Sequence, residues 1–198
     1  WRNRQSTIST AAEEDSSFIG RLWAWKVSSL IAADDPLTGG GFGAVTDPVL
    51  WNRYAPATPD FGPIATPPIP PWLAPKAAHN IYFQVLGDHG GVGLAIFLSM
   101  LWTCFITNLR NIRRAREAGV GWYQHLARAI NLSLVGYGIT GANVSLAYFD
   151  LLYAIIGLVT VMTVWRDELL HAGAPGQRHR GNDVSQVRGQ RRPAHGLT

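Results

Sequence analysis

Between Val92 and Leu109 the sequence VGLAIFLSMLWTCFITNL runs for 18 residues without a charged side chain. As a helix it would extend about 27 Å, close to the ~30 Å of bilayer hydrocarbon. The competing reading is the buried helix of a soluble bundle, in which uncharged runs of this length are rare. Two more apolar runs follow. Ala129–Tyr148 is interrupted by Asn131, Ser133, Thr140 and Asn143, with Gly136, Gly138 and Gly141 giving it a small-residue face suited to close helix packing. Leu151–Trp165 is short alone and reaches spanning length if Tyr148–Asp150 supply its first turn. The expected class is an all-α, polytopic membrane protein fragment with three C-terminal transmembrane helices (90–109, 129–148 and 149–165) behind a long extracytoplasmic loop segment, 1–89.

The distribution of charge sets the expected orientation. Of 17 Lys and Arg residues, 11 lie from Arg110 onward, and all 11 are Arg. Residues 1–89 hold the other six against eight acids, a formal net charge of −2. Arg110, Arg113, Arg114, Arg116 and Arg128 fall in the 110–128 connection, and six more Arg lie in the 166–198 tail. The positive-inside rule assigns both segments to the cytoplasm and has 1–89 and the turn around 143–150 face outward. The tail has no periodicity and is expected to be disordered, its arginines near anionic headgroups. The bases flank apolar runs instead of interleaving with aromatics, so no nucleic-acid partner is expected. Cys104 is the single cysteine and has no internal partner for a disulfide. Trp1 opens the sequence with no initiator Met and no signal-peptide pattern, so the chain reads as the C-terminal part of a longer protein.

Within 1–89, Asp15 or Ser16 can cap a helix over 16–33 that stops at Asp35-Pro36. Arg21, Trp25 and Ser28 share one stripe of that helix, and Trp23 and Trp25 suit a headgroup-level position. A Gly turn, 38–43, follows. Its Gly39-x-Gly41-x-x-Ala44 spacing matches a dinucleotide fingerprint, but a helix and a Pro precede it where a strand is required. A turn that lets the backbone approach a ligand or another helix is the preferred reading. Residues 56–75 hold eight prolines and should be an extended, partly polyproline II loop. Trp51, Tyr54, Phe61 and Trp72 decorate it, as sugar-stacking platforms or interfacial anchors.

His79 and Asn80 open an expected pre-membrane helix, 79–89, with Tyr82 and Leu86 on the face of His79. Asp88 and His89 sit just before the first span. An imidazole here can take a proton from an attacking hydroxyl, while an interfacial or helix-capping histidine is the plainer alternative. The His79, Asp88 and His89 spacing fits no common zinc pattern, and no metal or cofactor is expected.

The order Arg21…Trp25, DDPLTGGGFGAV, a long loop and AHNIYFQVLGDHGGVGLAIFL resembles the C-terminal region of the O-antigen ligase/polymerase superfamily. The opening STISTAAEEDSSFIGRLWAWK, the DHG sequence and YFDLLYAIIGL look most similar to its exosortase A-associated O-glycosylation ligase branch. The resemblance covers roughly residues 4–165 and implies an enzyme that moves a glycan from a polyprenyl-diphosphate carrier to a glycan, lipid or protein acceptor at the outer face of the inner membrane. It implies His79 and Arg21 as catalytic residues, the first activating the acceptor hydroxyl and the second clamping the diphosphate. Asn80 and Tyr82 would support the histidine. Asp88 stands where the family often has an acid, and Arg4 and Arg53 are further diphosphate candidates. Two alternatives remain: a repeat-unit polymerase of the same fold, and a non-enzymatic transporter or scaffold.

Overall fold

A computed structural model describes residues 2–58, 60–61 and 64–173, with side chains described over 17–58 and 66–173. Among the described residues six α-helices carry the fold: α1 (Arg2–Asp34), α2 (Pro48–Tyr54), α3 (Ile81–Glu117), α4 (Gly121–Thr140), α5 (Asp150–Val164) and α6 (Arg166–Gly173). The described strands are two residues each, β1 (Asp60–Phe61) and β2 (Ile64–Ala65), paired antiparallel. The chain divides into two compact units, one of residues up to 103 with 134–152, the other of 104–133 with the residues from 153 onward.

In the first unit α1 runs from Arg2, well before the expected start at 16. No Gly or Pro occurs before Gly20, and Gln5, Ala11, Ala12, Glu13 and Glu14 favour helix, so nothing in this stretch interrupts it. Its end at Asp34 matches the restriction that Pro36 places on the residue before it. Ala24, Val27 and Ile31, spaced three and four apart, are buried. They meet Trp51 and Tyr54 of α2, Ala44 and Val45 of the preceding turn, and Ile69 and Ala78 of the Pro-rich segment. α2 is capped by Asp47, whose carboxylate accepts from the N–H groups of Val49 and Leu50 at 2.9 Å, with Pro48 in its first turn.

The Gly turn docks on α3. Gly40 N–H donates to the Gly87 carbonyl and Gly41 N–H to the Asp88 carbonyl, both at 2.9 Å. Gly39 (φ 62°) and Gly90 (φ 67°) interlock: a Cβ on Gly39 would lie 2.5 Å from the Gly90 nitrogen. Gly90, at ψ −170°, also breaks the helical path of α3, so Ile81–His89 and Gly91–Glu117 are separate straight segments.

α3 is the one described helix both long and apolar enough to cross a membrane, and only 17% of its most apolar 18 residues are buried. That exposure is opposite to what the core helix of a soluble protein would show. Of the three expected spans, length and composition therefore single out the first. α4 begins at Gly121 and stops at Thr140, so the expected 129–148 span divides into helix, a 3₁₀ turn at Gly141–Asn143, and a non-helical stretch to Phe149. The stop falls where Gly141 packs against Ile81: a Cβ there would approach Ile81 Cγ1 to 2.9 Å. α5 is apolar but only 15 residues long.

In the second unit the parts of α3, α4 and α5 are joined by buried polar side chains. Asn108 Nδ2 donates to the Ala127 carbonyl (2.7 Å) and to Asn131 Oδ1 (2.9 Å). Asn111 Nδ2 donates to Thr163 Oγ1 (3.0 Å) and Tyr123 O–H to the Met162 carbonyl (2.6 Å). Such interhelical bonds are the usual adhesive where apolar packing alone gives little preference for a partner. The expected disordered stretch 166–198 is helical at its start, as α6, with Asp167 and Glu168 in the first turn and His171 in the last complementing the helix dipole. Residues 174–198 lie outside the described residues.

Candidate active site

The Pro-rich segment is tied back to α1 by two indole N–H groups. Trp23 donates to the Pro67 carbonyl (2.9 Å) and Trp25 to the Ala78 carbonyl (2.7 Å). Trp25 also stacks on Phe83 of α3, with ring centroids 5.0 Å apart and an interplanar angle of 5°. The second bond fixes the backbone immediately before His79. Immediately after it, Asn80 Oδ1 accepts from the N–H groups of Tyr82 and Phe83 (2.9 and 3.2 Å), capping α3. The N–H of His79 itself donates to Ser145 Oγ at 2.9 Å.

Held on both sides, His79 sits at φ 47°, the one described non-glycine residue in the left-handed region. That conformation costs an ordinary side chain roughly 1–2 kcal/mol. Strain of this kind persists where the surroundings over-determine it, a pattern concentrated at functional sites. The imidazole itself is exposed.

His79 opens into a cleft of about 300 Å³ that it lines with Arg21, Lys76, Ser17, Gly20 and Ala77. Arg21 comes from α1, and its Nε is buried without a hydrogen-bond partner. The stem of Lys76 lies over Gly20, where a Cβ would stand 3.7 Å from Lys76 Cγ. Among the described residues the lining thus combines two basic side chains, an imidazole and a hydroxyl, with no carboxylate. A polyanion is the ligand such a lining favours, since each charge-assisted hydrogen bond contributes about 1.5–3 kcal/mol.

The other expected site residues lie elsewhere. Asn80 and Tyr82 adjoin His79 in the chain but hold α3 to the end of α4. Asn80 Nδ2 donates to the Ala142 carbonyl (3.1 Å) and Tyr82 O–H to the Gly138 carbonyl (2.7 Å). Asp88 is outside the cleft and only 1% exposed. Its carboxylate accepts from Ala44 N–H (3.0 Å) and Tyr148 O–H (2.9 Å), joining the Gly turn, α3 and the loop before α5. Arg53 on α2 is exposed and pairs with Asp34 at 3.6 Å, where Tyr54 O–H also donates at 2.7 Å. The Arg4 side chain lies outside the described residues.

The Gly turn has little backbone left for a nucleotide phosphate. The amides of Gly39, Gly40, Gly41 and Ala44 are all donors to protein carbonyls or to Asp88. Among the described residues no group of three His, Cys, Asp or Glu side chains gathers as metal ligands.

Sequence reasoning missed Lys76 and Ser145. Lys76 carried a signal, being the only Lys or Arg between Arg53 and Arg110 and three residues before His79. Ser145 carried none, since its partner is 66 positions away.

Residues 1–98 match an O-antigen ligase family model. The matched stretch, just under half of the chain, contains Arg21, Lys76, His79 and Asp88 and ends inside the apolar part of α3. Over that stretch the match supports a relation to the O-antigen ligase superfamily. No curated protein and no solved structure matches the chain.

Proposed function

We propose that this chain carries the donor-binding and acceptor-activating part of a membrane glycan ligase of the exosortase-associated, O-glycosylation branch. The observation that carries the reading is the shared cleft of Arg21, Lys76 and His79, basic and without a carboxylate among the described residues. In this reading the acceptor hydroxyl oxygen forms a bond to the anomeric carbon of the lipid-linked glycan. The bond from that carbon to the diphosphate oxygen breaks, and the diphosphate leaves with the electron pair. His79 takes the hydroxyl proton, as an imidazole within reach of the acceptor can when acting as general base. Arg21 and Lys76 stabilise the negative charge collecting on the leaving diphosphate. No metal or cofactor is required.

The reading includes three spans, over the apolar part of α3, α4 from Ala129 and α5, with 1–89 and the 143–150 loop outside and the C-terminus in the cytoplasm. Two features support it. Large apolar side chains stay exposed along all three helices, including Ile96, Trp102, Ile139, Leu158 and Val161. The loop before α5 touches His79 through Ser145, as two segments on one side of a membrane can. A polymerase that joins repeat units on the carrier would use the same cleft.

Binding of a polyprenyl diphosphate to the protein in nanodiscs tests the assignment. Arg21→Ala and Lys76→Ala should each weaken binding by roughly tenfold or more, the equivalent of one charge-assisted bond. His79→Ala should bind normally and fail to transfer. Wild-type affinity in both cation variants would refute the diphosphate site. Glycan length in a deletion strain separates ligase from polymerase: intact but unattached polymer marks a ligase, and short glycan a polymerase.

A further inference from the structure

The segment Pro36–Val45, PLTGGGFGAV, holds no charged residue, whereas Asp34 and Asp35 precede it and Asp47 follows. Two of its apolar side chains are largely exposed, Leu37 at 71% and Phe42 at 78%, while Val45 is buried. The chain is not loose there. Val92 N–H, at the start of the apolar span, donates to the Pro36 carbonyl at 3.3 Å, and Gly40 and Gly41 are bonded to Gly87 and Asp88. The loop is therefore fixed level with the first turn of the membrane helix, whose Val92 and Ile96 are also exposed. One apolar surface runs from the loop onto the span.

The backbone of the loop suits the boundary layer and not the hydrocarbon interior. Pro36 has no N–H and the amides of Gly39, Gly40, Gly41 and Ala44 are satisfied within the protein, while those of Leu37, Thr38, Phe42 and Gly43 are left for water or headgroups. Beside the loop, the Phe42 ring meets His89 edge-on at 4.6 Å and Tyr148 at 5.1 Å. Tyr148 turns its hydroxyl toward Asp88. Rings apolar on one side and hydrogen-bonded on the other are characteristic of the membrane–water boundary.

We propose that the Pro36–Phe42 loop inserts Leu37 and Phe42 into the outer-leaflet boundary between headgroups and acyl chains, a second lipid contact beside the span. The proposal rests on the membrane reading of Val92–Leu109. Insertion would anchor α1 and α3 together at the lipid surface, fixing the Arg21–His79 cleft relative to the headgroup layer from which a lipid-linked donor arrives.

Nitroxide labels report the location. In a Cys104→Ala background, Leu37→Cys, Phe42→Cys, Ile96→Cys and Asn52→Cys proteins are labelled in phosphatidylethanolamine/phosphatidylglycerol vesicles, and collisions with oxygen and with a water-soluble nickel complex are measured. Leu37 bears no described ring contact, so its variant stands if Phe42→Cys disturbs the His89–Tyr148 cluster. Positions 37 and 42 should favour oxygen over nickel, as 96 does, with the order reversed at 52. Nickel accessibility at 37 and 42 with 96 still in lipid would overturn the loop proposal alone. Low collision with both reagents at 37 and 42 would place them under protein and overturn it too. Nickel accessibility at 96 would overturn the membrane reading itself.

Discussion

Gly39→Ala and Gly41→Ala make a matched pair, because both glycines have positive φ (62° and 87°) and differ in what surrounds them. An alanine at either position meets the left-handed penalty of about 1–2 kcal/mol. At Gly41 nothing lies within 4 Å of the new Cβ, so that penalty is the whole effect. At Gly39 the Cβ would stand 2.5 Å from the Gly90 nitrogen, 2.6 Å from the Gly87 carbonyl oxygen and 2.7 Å from the Asp88 carbonyl carbon. These are backbone atoms, which cannot swing aside as a flexible side chain can. Relieving the overlap costs a further ~1–3 kcal/mol and separates the turn from α3. The bonds from Gly40, Gly41 and Ala44 to Gly87 and Asp88 are then weakened, at roughly 0.5–1.5 kcal/mol each. Gly39→Ala should therefore destabilise the first unit by about 3–6 kcal/mol and Gly41→Ala by about 1–2. Thermal unfolding in detergent, with limited proteolysis between α1 and α2, compares them. Equal losses in the two variants would refute the interlock and leave the Gly turn a simple flexible connection.

Two other perturbations probe the clamps around the site. Asn80→Ala removes the cap of α3 and the bond to Ala142; a stability loss of about 1–2 kcal/mol is expected with reduced transfer, whereas Asn80→Asp, which keeps the capping oxygen, should retain most of the stability. The phenol of Tyr54 is held above its ordinary range by its hydrogen bond to Asp34 and then by burial. Because the folded value is raised, this bond stabilises fully below about pH 10 and is lost as pH rises through the raised value. The difference in melting temperature between the wild type and Tyr54→Phe should be constant near neutral pH and close under alkaline conditions; a difference independent of pH would rule this out.

What the sequence made legible follows from the range of the forces involved. The run Val92–Leu109 is readable because a missing charge is a local property, and α3 is the helix long and apolar enough to span. Residue order makes Arg21 and His79 candidates, and the two line one cleft although 58 positions separate them. Helix limits were less readable. Hydropathy selected Ala129–Tyr148, but α4 ends where Gly141 meets Ile81, a tertiary contact that a hydropathy window cannot register. The break at Gly90 is hidden for the same reason, since it lies where the distant Pro36 carbonyl packs too close for any Cβ. Asp88 was singled out for its position before the span. Its partners, Ala44 and Tyr148, lie 44 and 60 residues away, so its cross-linking role needed the fold.

Glycan transfer by His79→Ala, set beside Arg53→Ala in the same full-length protein in cells, tests the central claim most directly. Arg53 serves as the comparison because it lies on α2, outside the cleft, paired with Asp34. Removing a general base should lower transfer by about 10²–10⁴-fold, while loss of an exposed ion pair leaves it near the wild-type rate. Full transfer by His79→Ala at normal expression would contradict the assignment of this cleft as the place where the acceptor is activated.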